Sequence, residues 1–166
     1  MTALTRQAEP SPPSLPTVTS PLPQAEGMLG LTLSTKSRDA AMAEIAGNPQ
    51  ALSALRDFLD HAEAMMVPAA VKQIAGHIER LTLHYWTKPL DSASMRLYVR
   101  DWIDDVGHLP VDVLASACAQ WRRGANAFMP TPGQLLALAD PILRYRRALA
   151  QRAASLIDDA EKSPAR

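Results

Sequence analysis

Aromatic residues make up only 5% of this 166-residue chain, so its core must be filled mainly by Leu, Ala, Val, Ile and Met. Straight-chain residues and alanine lose little side-chain freedom in a helix, so such a core favours α structure. Cysteine is almost absent. Cys118 stands alone, which excludes a disulfide within the chain and any paired-cysteine metal motif, and fits a reducing compartment. Long apolar runs are missing too. No segment approaches the roughly 20 residues a membrane span needs, and the N-terminus has no apolar signal-peptide core. The expected location is therefore cytoplasmic, with no membrane contact. Net charge is zero, which argues against a chain built mainly to neutralise nucleic-acid phosphates.

Sequence signatures of catalysis are equally scarce. The chain has no GxSxG elbow, no Cys–His nucleophile pattern and no GxxxxGK[ST] phosphate loop. His61, His77, His84 and His108 are the only histidines. His77 and His84 are seven residues apart and can share a helix face, but no third ligand completes a metal site. Asp101, Asp104 and Asp105 form the densest carboxylate group. A hard cation needs several converging oxygens, so a solvated helix face is the plainer reading. The expectation is a binder or adaptor and not an enzyme, with no catalytic residues, no metal and no cofactor.

What the chain does have is proline in one place and helical periodicity elsewhere. Pro10, Pro12, Pro13, Pro16, Pro21 and Pro23 stand among Ser and Thr. Proline removes backbone donors and fixes φ, so residues 1–36 read as a disordered tail, or alternatively as a ligand for a proline-binding partner. Residues 37–160 read as a helical domain and 161–166 as a flexible C-terminus. Asn48-Pro49 gives a cap followed by proline at the first helical position. Leu52, Leu55, Leu59 and Ala62 then recur at helical spacing, as do Val71, Ile74, Ile78, Leu81 and Tyr85. Asp91 and Ser92 are cap candidates before the stripe Met95, Tyr98, Trp102 and Val106, which Gly107 ends. After Pro110 come Val111, Leu114, Ala117, Cys118 and Trp121. Thr131-Pro132 restarts the chain toward Leu135, Leu138 and Ala139. Pro141 predicts a break or kink near Asp140, followed by a last helix to about Asp159 with Ile142, Tyr145, Leu149 and Leu156 inward. No alternating strand pattern and no fixed-period repeat emerges. The predicted fold is all-α, a small bundle of about six helices joined by short turns.

Charge is unevenly placed. Residues 91–120 hold five aspartates against two arginines, and residues 121–166 hold eight basic groups against four acidic ones. Arg122 and Arg123 follow Trp121 at a helix end, where the helix dipole alone accommodates them. Arg144, Arg147 and Gln151 share one face of the last helix, flanked by Arg146. Such arginines can be solvated, paired within the chain, bound to a protein carboxylate or clamped on phosphates.

One longer pattern is more specific. After "LPVDVL", a helix ends in "WRR", passes a short break and reaches "FMPTPGQLLALADPIL". Trp121, Arg122, Arg123, Phe128, Pro130, Pro132, Gln134 and Leu135 resemble a motif of phage and prophage proteins that load or inhibit the hexameric replicative helicase. "YVRDWIDDVGHLP" looks like that family's preceding helix, and the resemblance covers about residues 84–147. It implies a small helical domain with a flexible segment that contacts the helicase, although here the long Pro-rich segment lies at the N-terminus. On this resemblance the protein is a replication accessory adaptor, with Arg122, Arg123, Arg144 and Arg147 as polar contacts and Phe128 and Met129 as apolar ones. Each matching residue also has a structural reading, with Trp121 in the core and Phe128 stapling the turn onto Leu135 or Leu136. Two other classes stand beside the adaptor: a DNA-binding module using the basic last helix, and a structural or regulatory helical oligomer.

Overall fold

The computed structural model describes residues 37–162 apart from Gly47, Thr87 and Pro89. The Pro-rich segment 1–36 and residues 163–166 lie outside the described residues. Six helices and no strand occur among them: α1 (Arg38–Ile45), α2 (Pro49–Ala64), α3 (Val71–Tyr85), α4 (Ser92–Val106), α5 (Val111–Arg123) and α6 (Pro132–Lys162). The protein is all-α.

Helix starts follow the local chemistry. Ser37 Oγ accepts from the Ala40 amide at 3.3 Å and opens α1. Asn48 Oδ1 accepts from Gln50 and Ala51 at 3.1 and 3.2 Å, with Pro49 at a position that needs no donor. At α4 the cap is Asp91, which accepts from Ala93 and Ser94 at 2.9 and 3.0 Å. The Ser94 hydroxyl adds a 2.6 Å bond to the same carboxylate, and these donors hold Asp91 below the usual carboxylate range. Gly107 ends α4 where the Ile103 carbonyl oxygen lies too close for any Cβ.

The expected stripes are largely the buried ones. Leu55 and Ala62 face inward from α2, joined by Phe58 between them. Ile74, Ile78 and Leu81 do so from α3. Val71, in the opening turn of α3, is 61% exposed and does not belong to its stripe. Trp102 and Val106 are buried on α4, and Leu114, Ala117 and Cys118 on α5.

Of the break or kink expected at Pro141, the break does not occur. Helix α6 runs unbroken for 31 residues, so the two predicted final helices are one. Pro141 and Ala137, whose carbonyl loses its usual donor, are both exposed, so that carbonyl can be satisfied by water. Packing on both sides of the proline favours continuity: Leu135, Ala139 and Leu143 are buried, and so are Leu149, Ala153 and Leu156. Tyr145, expected inward, is 49% exposed. The helix continues to Lys162, past residue 160, where Arg56 reaches Glu161 at 2.7 Å and Arg38 pairs with Asp159.

Helix α6 is the spine of two apolar clusters. One joins α3, α4 and α5 to its first half through Ile78, Trp102, Leu114, Leu135 and Leu143. The other joins α1 and α2 to its second half through Ile45, Leu55, Phe58, Leu149 and Leu156. Between them, on the inward face, lies Arg146. Its guanidinium makes a two-pronged pair with Asp112 at the start of α5, Nη1 reaching Oδ1 at 3.2 Å and Nη2 reaching Oδ2. Nη1 also donates to the Met65 carbonyl at the end of α2, at 3.2 Å. The side chains are only 11% and 19% exposed. A second tie lies close to this junction in sequence, where the Ala69 amide donates to the Leu109 carbonyl at 2.9 Å.

Removing one member of a largely buried pair strands the other charge. Asp112→Ala should lower the unfolding free energy by about 3 kcal/mol in urea. Adding Arg146→Met should restore a substantial part of that loss, because the stranded cation is gone. A double variant less stable than Asp112→Ala would contradict this assignment.

Candidate functional site

The six residues singled out for partner contact fall into two groups. Asp112, at the start of α5, meets Arg146, while Trp121, at its end, meets the turn that leads into α6. Helices α5 and α6 therefore run antiparallel. Arg122 and Arg123 lie at one end of the pair, and Arg144 and Arg147 lie toward the other. Ten helical residues separate Asp112 from Arg122, which is about 15 Å at 1.5 Å per residue. The four arginines do not form one grip.

At the second end, Arg144 is 70% exposed and paired with Asp140 at 3.0 Å. Arg147 is exposed and borders an open depression of about 430 Å³ with His108, Leu109, Leu136 and Asp140. Gln151 is exposed as well, so the shared face expected for these residues exists, with a carboxylate set among its cations. Arg146, which by sequence only flanks that face, is the inward arginine that joins the clusters. Its signal was available in its i+3 spacing from Leu143 and to Leu149, which places all three on one helix face.

The turn between α5 and α6 is built more tightly. Gly124 ends α5, its amide reaching back to Gln120 and Trp121 at 3.1 and 3.2 Å. Asn126 Nδ2 donates to the Trp121 carbonyl at 2.9 Å, and the Trp121 indole Nε1 donates to the Phe128 carbonyl at 3.1 Å. Pro130 is buried, and Met129 packs partly against the first cluster. Thr131 and Gln134 then form a reciprocal cap: the Thr131 amide donates to Gln134 Oε1 at 2.8 Å, and the Gln134 amide to Thr131 Oγ1 at 3.4 Å. This explains why Gln134 stands three residues after Thr131 in the motif.

Phe128 does not staple the turn. It is 81% exposed, the most exposed large apolar residue among the described residues. Met129 and Pro130 take the inward positions instead, so Phe128 is turned outward while its own carbonyl is held by Trp121. Arg123 is exposed at the adjoining helix end. Arg122 is half-buried, and its Nη1 is enclosed with no hydrogen-bond partner among the described residues.

The titratable groups beneath this end support no nucleophile. Cys118 is buried and its thiol is pushed up to about 11 by desolvation, with Arg122 opposing weakly. His77 on α3 is half-buried, and burial holds its imidazole below the ordinary value, helped by the charges of Arg80 and Arg122. Among the described residues no group of three or more His, Cys, Asp or Glu side chains could hold a metal, and Asp101, Asp104 and Asp105 all face solvent. No described helix is long and apolar enough to cross a membrane. The fold thus defines a small helical bundle with an ordered, outward-pointing aromatic turn. Comparison with family models, curated proteins and solved structures returns no match.

The depressed His77 imidazole has a consequence for stability. The unfolded chain takes up this proton near the ordinary histidine value, while the folded chain resists it until lower pH. His77 therefore favours the folded state above about pH 6.5, and this contribution declines as acid is added. Urea midpoints measured from pH 7.5 to 5.5 should fall less steeply for His77→Gln than for wild type. Parallel profiles would contradict the assignment.

Proposed function

We propose that this protein is a non-enzymatic replication accessory adaptor of phage or prophage type, and that its α5–α6 turn contacts the replicative helicase. The observation that carries the proposal is Phe128, an 81% exposed ring on a turn whose backbone is already fixed by Trp121, Asn126, Thr131 and Gln134. Docking a pre-ordered segment avoids most of the entropy cost of ordering it in the complex. Aromatic and arginine side chains are also the types that dominate binding energy at protein interfaces. Arg123, exposed beside the turn, supplies a charged rim. The resemblance of Trp121 through Leu135 to helicase loaders and inhibitors names the partner class.

A DNA-binding reading rests on Arg144, Arg147 and Gln151. It is less favoured, because Asp140 already occupies Arg144 and the basic groups at the other end of α5 are about 15 Å away.

The test is recovery of the helicase from native-host extract by immobilised protein. Wild type should retain it. Phe128→Ala, which removes an exposed ring and should leave the circular dichroism spectrum unchanged, should reduce recovery at least tenfold, and Arg123→Glu should also weaken it. Absence of helicase with wild type, or equal recovery with Phe128→Ala, would overturn the proposal.

A further inference from the structure

The open depression beside α6, about 430 Å³, falls in the size range of small-ligand sites. Ala137, Asp140, Leu143 and Arg147 line it from α6, and His108 and Leu109 line it from the stretch between α4 and α5. Leu109 and Leu143 are buried, so its floor is apolar. Its polar groups are sorted along the helix. Pro141 has no amide hydrogen, so the Ala137 carbonyl lacks its usual helical donor, and Ala137 is exposed. Asp140, three residues on, lines the same end with a carboxylate. Asp140 Oδ2 already takes Arg144 Nε at 3.0 Å, but both side chains are more than half exposed, and such pairs are weak. A carboxylate also has room for further donors. Arg147 comes seven residues after Asp140, close to two turns, so the two share a face about 10 Å apart along the axis. Leu143 lies between them on that face. The depression therefore offers acceptors at one end, a guanidinium fork at the other and leucine between. A simple cation would meet Arg144 and Arg147, and a simple anion would meet Asp140. A molecule with opposite charges at the two ends of an apolar chain complements all three regions.

We propose that this depression binds a small zwitterion, an apolar chain with an ammonium at one end and a carboxylate at the other. The ammonium donates to the Asp140 carboxylate and the Ala137 carbonyl, the chain covers Leu109 and Leu143, and the carboxylate takes the Arg147 fork. Pro141 then serves the site by keeping one backbone acceptor open. The site lies toward the other end of the α5–α6 pair from Phe128 and does not rest on the helicase reading.

The probe is 6-aminohexanoate, compared with hexanoate, hexylamine and glycine at constant pH and ionic strength. Binding is followed by imidazole NMR, because His108 lines the depression and His61, His77 and His84 do not. The His108 signals should move saturably with 6-aminohexanoate, with a Kd of roughly millimolar, while the other three histidines stay still. Hexanoate and hexylamine, each lacking one charge, and glycine, lacking the chain, should bind at least about tenfold more weakly. Asp140→Asn and Arg147→Gln change exposed side chains and should each weaken 6-aminohexanoate by a similar factor. Pro141→Ala returns a donor to the Ala137 carbonyl, so it should raise the melting temperature and yet weaken binding several-fold. A proline with a structural role alone would move the first reading and not the second. No saturable movement of His108, or equal movement of all four histidines, would overturn the proposal. So would a single-charge probe binding as tightly as 6-aminohexanoate, or unchanged affinity in any of the three variants.

Discussion

The two-pronged pair between Arg146 and Asp112, with its third bond to the Met65 carbonyl, is the joint on which the rest of the structure depends. It sits where the two apolar clusters meet along α6, and its three partners come from three different helices or their ends. Apolar packing holds α1 and α2 to one half of α6, with the Arg38–Asp159 and Arg56–Glu161 pairs beside it, and α3, α4 and α5 to the other. A charged pair adds direction to that packing. Arginine's fork accepts one arrangement of carboxylate and carbonyl, and so it sets the register of α5 and α2 against α6. Polar groups in such places are costly to desolvate and strongly penalised when broken, which makes the register hard to change.

That register has a functional consequence at the far end of α5. With α5 fixed at Asp112, Trp121 is placed so that its indole can hold the Phe128 carbonyl, and the turn closes into the Thr131–Gln134 cap. The outward Phe128 is then the result of bonds made inward on both sides of it. The same fixing leaves Arg122 half-buried and Arg123 in solvent, so two adjacent arginines have different surroundings. Their alternation follows from the 100° step between successive helical residues.

Much of the fold is legible in the sequence, because capping chemistry and helical periodicity are local. Asn48-Pro49, Asp91 and Thr131 act where their side-chain oxygens can reach the next amides. What the sequence misleads about is decided by tertiary context. Pro141 breaks an isolated helix, but here the lost bond faces solvent and apolar contacts on both sides outweigh it. Phe128 has the composition of a staple, yet Met129 and Pro130 fill the inward positions first. The candidate site is legible only in part. Local pattern marks Trp121, Arg122, Arg123 and Phe128, but it cannot say that Arg146 would be taken by Asp112, 34 residues away, or that Arg144 and Arg147 would lie at the other end of the helix pair.

The central claim is that the Arg146 joint makes the two clusters one cooperative body, and the tryptophans offer a direct measurement of it. Trp102 is in the first cluster and Trp121 packs against it, while the Trp86 ring lies 5.1 Å from Tyr98, which also packs there. Tryptophan fluorescence therefore follows the first cluster, whereas far-ultraviolet circular dichroism follows all six helices. Followed together through a urea titration of the wild-type protein, the two signals should trace a single superimposable transition. A second transition seen by circular dichroism and not by fluorescence would show that the second cluster unfolds on its own and would contradict the account.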